Sequence, residues 1–399
     1  MTSHGIADHP KICIVGLKCY DLLSGAKRPR YIGGIENQLA RLACGLAHRE
    51  FPVSFVTYDQ GQPDATRHEG IWVYKAFGQT AGIFGVRFLH PRWTGLCSAL
   101  HRADADIYYQ MGAGCETGQV ALWCRKRRKH FIFSTASDAD CDPSLPLLRN
   151  YREKCLYRYG LKHAALVISQ TRTQRQLLLD HFGVASKIFG ILSPQPRMEA
   201  SAPGERRRIL WVGRICPEKR PHLLVDVARG LPGCTIDVIG DANADTAYAR
   251  SFRQQAQHHS SLILHGKVSN DLLEEMYREA LLLVGTSQTE GFPVIFVEAW
   301  SRGIPVVSTF DPDGVIQANG LGRVAHGVED IVAYVTQITQ SPDVWLKDSA
   351  AARQYYLANH APEVCLPRFA SLLSDVEASS SAEDGTLRPA DSPAETDHV

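Results

Sequence analysis

The sequence predicts a two-domain α/β protein in which a parallel, doubly wound sheet is built twice. Three observations carry that prediction. Short apolar runs alternate with helix-patterned segments along most of the chain. The alternation breaks once, at PQPRMEASAPGERRR (194–208), and then restarts. The charge balance changes sign near the same break: residues 1–200 hold 26 Lys+Arg against 16 Asp+Glu, and residues 201–399 hold 17 against 26. A basic half joined to an acidic half, within a net charge of only +1, points to two domains with different partners.

The elements follow in order. KICIVG (11–16) reads as a buried strand, and GGIENQLARLACGLAHRE (33–50) as a helix with Leu39, Leu42, Ala43 and Leu46 at helical spacing. VSFVTY (53–58), IWVYKA (71–76), DIYYQM (106–111), HFIFST (130–135) and ALVISQ (165–170) read as strands, and TRTQRQLLLDHFG (171–183) as a helix stopped by Gly183. After the break, RILWVG (208–213), CTIDVIGD (234–241), LILHGKV (262–268), LLLVGTS (281–287) and IPVVST (304–309) are the strands. PHLLVDVARGL (221–231), DLLEEMYREA (271–280) and the segment around Glu298 are helices. The expected organisation is a loose N-terminus (1–10), an N-terminal domain (11–195), a linker (196–207) and a C-terminal domain (208–376) whose last helix packs back on the first domain. A Ser/Ala/Asp/Glu/Pro-rich tail (377–399) is expected to be disordered.

Composition excludes several classes. The eleven cysteines are scattered, odd in number and without a C-x-x-C pair, which favours free thiols in a reducing compartment over a disulfide framework or a zinc site. No stretch reaches the ~18 apolar residues of a membrane span, and MTSHGIADHPK lacks the basic and apolar regions of a secretory leader. The expectation is a cytoplasmic protein, free or at the cytosolic face of a membrane. RKRRKH (125–130) suits an anionic lipid surface or a solvated face, and REKCLYRYGLKH (152–163) an interfacial or an ordinary amphipathic helix. No basic groove with interleaved aromatics repeats, so nucleic acid is not an expected partner.

Ligands of open α/β sheets bind at the strands' carboxyl ends, so the loops there carry the candidate chemistry. The first such loop ends in Gly33-Gly34 at a helix start, which fits either an anion cradle or a plain glycine turn. In WVGRICPEKRPH (211–222), Arg214 and Lys219 lie just beyond a strand, suited to a diphosphate or to a solvated basic turn. In TEGFPVIFVEAW (289–300), Pro293 fits the first position of a helix. That puts Glu290, Gly291 and Phe292 at its tip, with Glu298 inside it among apolar residues. Ligand hydroxyls could partner these carboxylates. So could protein groups: Ser287-x-x-Glu290 matches a capping box, and Glu298 lies four residues before Arg302. Asp138-Ala-Asp140-Cys-Asp142 reads as a polar loop rather than a metal cluster.

VGR…EK (212–219), EGFPVIFVE (290–298) and AWSRGIPVV (299–307) together resemble the retaining glycosyltransferases of family 4, with the GT-B fold: two Rossmann-like domains facing across a cleft. The similarity covers most of 208–370 and, more loosely, the GGIE loop of the N-terminal half. It implies a donor, a UDP- or GDP-type nucleotide-diphosphate sugar, bound by the C-terminal domain. It implies a saccharide or lipid-linked acceptor on the basic N-terminal domain, as in polysaccharide or glycoconjugate synthesis. No cofactor or metal is expected. Arg214 and Lys219, behind Gly213, match the diphosphate-binding pair. Glu290 matches the first glutamate of the E-x7-E motif, near the donor sugar, and Glu298 the second, which holds the ribose hydroxyls. Gly291, Phe292 and Pro293 match the donor-sugar loop, and Gly33 and Gly34 the loop closing over the diphosphate. One feature departs from the family. FIFSTASDAD (131–140) lacks the histidine that many members carry there, and Ser137 or Asp138 stands in its place on the acceptor side. Sugar-nucleotide epimerases of the same architecture, and a non-catalytic nucleotide-sugar-binding subunit, are the rival readings.

Overall fold

A computed structural model describes residues 9–26, 33–196, 208–242 and 245–385. The expected linker, apart from Pro196, lies outside the described residues, as do 1–8 of the N-terminus and 386–399 of the tail. The described residues form two sheets. The N-terminal sheet has the spatial order Ala65–His68, Ile71–Lys75, Val53–Thr57, Ile12–Val15, Ile107–Met111, His130–Ser134, Leu166–Ser169, Lys187–Ile188. The C-terminal sheet runs Leu262–Gly266, Thr235–Ile239, Arg208–Val212, Ala280–Gly285, Val306–Ser308, Gly322–Val324. Every pairing is parallel except Ala65–His68 with Ile71–Lys75.

The central strands are buried along their whole length because helices cover both faces. Ile12–Val15, Val53–Thr57 and Ala280–Gly285 are buried at every position. Ala65–His68 is a strand the sequence did not disclose. Its residues, ATRH, alternate between exposed and half-buried at the sheet edge, so no apolar pattern marks it. The expected disorder of 377–399 also needs correction at its start: the last helix, Pro362–Gly385, carries the chain nine residues further. Propagating a formed helix adds a hydrogen bond for each residue fixed, so the helix continues to Gly385, the last described residue, despite a polar sequence.

In both sheets the strand order reverses beside the first strand, between Ile12–Val15 and Ile107–Met111 and between Arg208–Val212 and Ala280–Gly285. Crevices open at such reversals, at the carboxyl edge. The loops carrying Gly33-Gly34, Arg214-Lys219 and Glu290–Pro293 all leave that edge.

The two halves are sewn together behind the cleft. Helix Pro342–Asn359 hands over to Pro362–Gly385, which buries Cys365, Leu366, Phe369, Leu373 and Val376 in the N-terminal core with Ile12, Ile14, Leu39 and Leu42. At the crossing, Tyr356 Oη donates to Ser193 O (2.9 Å) and Ser193 N donates to His360 O (3.2 Å). His360 Nδ1 lies 2.8 Å from Ile191 O, which fixes the tautomer with Nδ1 protonated.

Burial pushes the His360 imidazole down to about 4, so it folds neutral. The unfolded chain takes up this proton as pH falls through 6.5, whereas the folded one resists until about pH 4. Stability is therefore full above pH 6.5 and is lost as pH falls toward 4. Between pH 7 and pH 5 the loss from this group should be about 2 kcal/mol. Urea titrations at both pH values check it: His360→Asn should show a correspondingly smaller drop than the wild type, and an equal drop would contradict the assignment.

Candidate active site

The segment 285–300 is the centre of the cleft. Strand Ala280–Gly285 ends, a loop carries Ser287 and Glu290, and helix Val294–Trp300 follows. Pro293 is the cap residue of that helix rather than its first residue, one position earlier than expected. Gly291 is required by a close approach: a Cβ there would lie 2.7 Å from both Ala136 O and Gln170 Oε1 of the N-terminal domain. Phe292 N donates to the same Gln170 Oε1 at 3.1 Å, and the Phe292 ring packs against Trp300 and His360. The loop is thus wedged between the domains.

The basic loop closes over it from within the C-terminal domain. Gly213 ends strand Arg208–Val212, and the chain turns through Pro217–Lys219. Lys219 forms an ion pair with Glu290, and Ser287 Oγ donates to the same carboxylate oxygen at 2.6 Å. The capping-box reading does not hold, because the helix starts at Val294 and Glu290 precedes it. Further bonds tie the loops together: Gln288 N to Glu218 O (3.0 Å), Thr286 Oγ1 to Lys219 O (2.5 Å) and Arg220 Nε to Thr286 O (2.9 Å). Arg220 Nη2 also donates to Thr309 Oγ1 at 2.8 Å. Nothing in the sequence sets Arg220 apart from its neighbours, so its bracing role is visible only in space. Arg214 is exposed on the same loop.

Glu298 is held across the cleft. Arg41, from the helix Gly34–Ala47 that opens at Gly33-Gly34, places Nη2 2.5 Å from Glu298 Oε1. Tyr277 Oη donates to Oε2 at 3.2 Å. Burial and the adjacent Glu298 push the Tyr277 phenol up, so it keeps the proton it donates. Arg302, the candidate partner at i,i+4, instead donates to the Glu298 main-chain carbonyl (2.6 Å) and pairs with Glu274. Arg41 was not foreseen, since one cation in a helix carries no signal. Its Nη1 is buried with no hydrogen-bond partner, a donor still to be satisfied beside a carboxylate. Gly34, at the start of the same helix, faces Val294: a Cβ would touch its Cγ2 at 3.4 Å.

The acceptor-side candidates sit on the facing loop. Asp138 Oδ1 accepts from Gln174 Nε2 (3.0 Å), and burial raises its carboxyl, with Asp313 and Glu290 adding to the effect. Ser137 caps the short turn Asp138–Asp140. Asp140 is structural: it accepts the backbone N–H of Ala113 (3.2 Å), Ala136 (2.7 Å) and Ser137 (3.2 Å). Among the described residues, no group of three or more His, Cys, Asp or Glu is arranged to hold a metal ion. Asp313, from the C-terminal domain, accepts the first N–H groups of the N-terminal-domain helix Arg172–Phe182, from Arg172 at 2.6 Å and Thr173 at 3.1 Å. A carboxylate on a helix N-terminus is favourable, so this is a third tie across the cleft, after Gln170–Phe292 and Arg41–Glu298.

Two family models cover most of the chain. Residues 33–191 match the glycosyl transferase 4-like domain, and residues 195–354 match the glycosyl transferases group 1. The chain belongs to these glycosyltransferases. It is 22% identical over 236 residues to an amylovoran biosynthesis glycosyltransferase of Erwinia amylovora, covering 56% of this chain and 65% of that one. It is 26% identical over 232 residues to a mannosylfructose-phosphate synthase of Agrobacterium fabrum, covering 52% and 50%. The match thus spans between half and two-thirds of these relatives' length. Among solved structures it is similar to a sucrose-phosphate synthase from Thermosynechococcus elongatus, with TM-score 0.75 and 14% identity over 93% of this chain and 100% of that one. It is also similar to HepE of Anabaena solved with UDP and glucose, with TM-score 0.72 and 16% identity over 92% and 100%. At such identities these structures establish the shared two-domain GT-B fold of this family member.

The interdomain pair yields a direct test in a double-mutant cycle of Arg41→Ala and Glu298→Gln, followed by urea unfolding. Because both side chains keep some exposure, a coupling of about 1–2 kcal/mol is expected. Strictly additive effects would show that the two groups do not depend on each other.

Proposed function

We propose that the protein transfers a sugar from a UDP- or GDP-type nucleotide-diphosphate sugar to a saccharide or lipid-linked glycan, with retention of anomeric configuration. The observation that carries the reading is the convergence of Lys219 and Glu290, 71 residues apart, at the carboxyl edge of the C-terminal sheet in a chain whose two halves both match glycosyltransferase domains. Support for the donor class comes from the neighbour solved with UDP and glucose. The matched relatives named for polysaccharide synthesis point to a glycan acceptor.

The roles follow from the chemistry. Arg214 and Lys219 stabilise the diphosphate as the anomeric C–O bond breaks, with backbone N–H groups of the Gly33-Gly34 helix start adding positive potential from the other domain. These cations make a metal ion unnecessary for charge neutralisation. Glu290, oriented by Lys219 and Ser287, accepts hydroxyls of the donor sugar on the Gly291-Phe292-Pro293 loop. Glu298 takes the ribose hydroxyls: a carboxylate has about four acceptor positions, of which Arg41 and Tyr277 use two. The acceptor hydroxyl attacks the anomeric carbon on the face the diphosphate leaves, and its proton passes to the departing phosphate oxygen. Asp138 or Ser137 orients that hydroxyl. Closure of the domains around the reactants excludes water.

Thermal unfolding with UDP, GDP, ADP and CMP tests the donor class. One nucleotide at ~100 times its Kd should add about 2.7 kcal/mol of stability, and the gain should vanish in Glu298→Ala. No gain with any of the four would contradict the reading. For the transfer step, Lys219→Met should cost roughly 2–4 kcal/mol of transition-state stabilisation. A rate within threefold of wild type would remove Lys219 from the chemistry.

A further inference from the structure

An apolar and basic surface on the N-terminal domain has no role in the site just described. After strand Ile71–Lys75 the chain makes a long excursion before helix Thr94–Ala103. It returns to where it left, since a Cβ on Gly95 would lie 2.7 Å from Ala76 O. Within the excursion Ile83, Phe84, Val86 and Leu89 point outward, with Phe84 88% and Ile83 78% exposed. Residues 76–103 contain no Asp or Glu; Arg87 is exposed there, while Arg92 and Arg102 are half-buried and donate to Gln79 O (2.9 Å) and Lys75 O. A second exposed pair, Leu147 and Tyr151 (79% exposed), sits on the loop after His130–Ser134 and at the start of helix Tyr151–His163. The two pieces form one surface: the Arg152 guanidinium lies 3.6 Å above the Phe88 ring. Residues 144–154 add Arg149, Arg152 and Lys154 against Glu153 alone. Exposed large apolar side chains gathered with this excess of cations are unlike an ordinary solvated face.

We propose that this surface docks on an anionic lipid bilayer, with Ile83, Phe84, Val86 and Leu89 entering the headgroup region and the arginines meeting lipid phosphates. Charge complementarity selects this occupant, because apolar anchors ringed by cations with almost no acid match an anionic interface. Position supports it too. Both pieces leave the carboxyl edge of the N-terminal sheet, the edge that carries Ala136, Gln170 and Gly34 into the cleft. A bilayer there would bring the cleft mouth beside the membrane, where a lipid-linked acceptor presents its sugar. Only that last step rests on the transferase reading. The basic run 125–129, which also fitted lipid by composition, is on the wrong side. It ends helix Cys115–Arg127 just ahead of strand His130–Ser134, at the amino edge. There Lys129 is neutralised by Asp106 and Arg125 donates to Tyr159 Oη. Helix Tyr151–His163 likewise spends its apolar face on the core. A Cβ on its Gly160 would meet Thr117 Cγ2 at 2.7 Å, and Tyr157 and Leu161 are buried.

The test is co-sedimentation of the full chain with phosphatidylcholine vesicles, with and without a third phosphatidylglycerol. Binding is expected only to the anionic vesicles. Ile83→Ser with Phe84→Ser should reduce it at least tenfold, and each of Arg87→Gln and Arg149→Gln, both exposed, should weaken it to roughly a fifth. Arg125→Gln with Arg127→Gln, at the far edge, should leave it unchanged. Nucleotide-dependent thermal shifts on the same variants should match wild type, which separates loss of docking from failure of the donor site. No binding to anionic vesicles, or binding abolished by the far-edge pair instead, would overturn the proposal. So would a dimer in solution that dissociates in Phe84→Ser, which would assign the surface to a second copy of the chain.

Discussion

Two carboxylates on one short segment set the architecture of the cleft. Neither Glu290 nor Glu298 can sit in this partly desolvated region without a cation, because an unpaired charge there would cost several kcal/mol. Each finds one far away in sequence. Glu290 draws Lys219 and hence the basic loop of its own domain; Glu298 draws Arg41 from the opposite domain. The first pairing joins two loops of the C-terminal domain, and the second ties that domain to the other across the cleft. Gly291 makes both compatible, since any side chain there would collide with Ala136 or Gln170.

The ties across the cleft are polar and few, while the hinge side is packed. Cys365, Leu366, Phe369 and Leu373 bury the final helix in the first domain's core, so the halves cannot drift apart. On the cleft side, Asp313 on a helix N-terminus and Gln170 on a backbone N–H are contacts that water or ligand oxygens can replace at modest cost, and Arg41–Glu298 is a single ion pair that keeps some exposure. A rigid back and an exchangeable front form a jaw. That division suits a reaction requiring the reactants to enter, be enclosed and leave.

Much of this was legible in the sequence because the informative patterns are local. Fully buried parallel strands leave continuous apolar runs, and the break at 194–208 separates two series of them. Glu298 stands out because a carboxylate amid Ile295, Phe296, Val297 and Trp300 demands a partner. The identity of that partner was not legible. Spacing favoured Arg302 at i,i+4, but its guanidinium is taken by Glu274 and a backbone carbonyl, and the carboxylate goes to Arg41, 257 residues earlier. Arg220, Gln170, Gln174 and Asp313 escaped because each acts through partners distant in sequence: Gln170 and Asp313 across the two domains, Arg220 and Gln174 within their own. The edge strand Ala65–His68 escaped because an exposed edge needs no apolar period. The place of the basic run 125–129 was not legible either, because a run of like charges has no direction until the strand beside it is placed, and His130–Ser134 puts it at the amino edge.

The central claim is that this cleft moves a sugar with retention. Proton NMR of the reaction with an α-linked nucleotide sugar and a saccharide acceptor tests it most directly. The account predicts a new glycoside whose anomeric proton shows the small coupling of an α-linkage, with release of the nucleoside diphosphate. A β-linked product would contradict the retaining mechanism, and an epimerised nucleotide sugar formed without acceptor would contradict transfer itself.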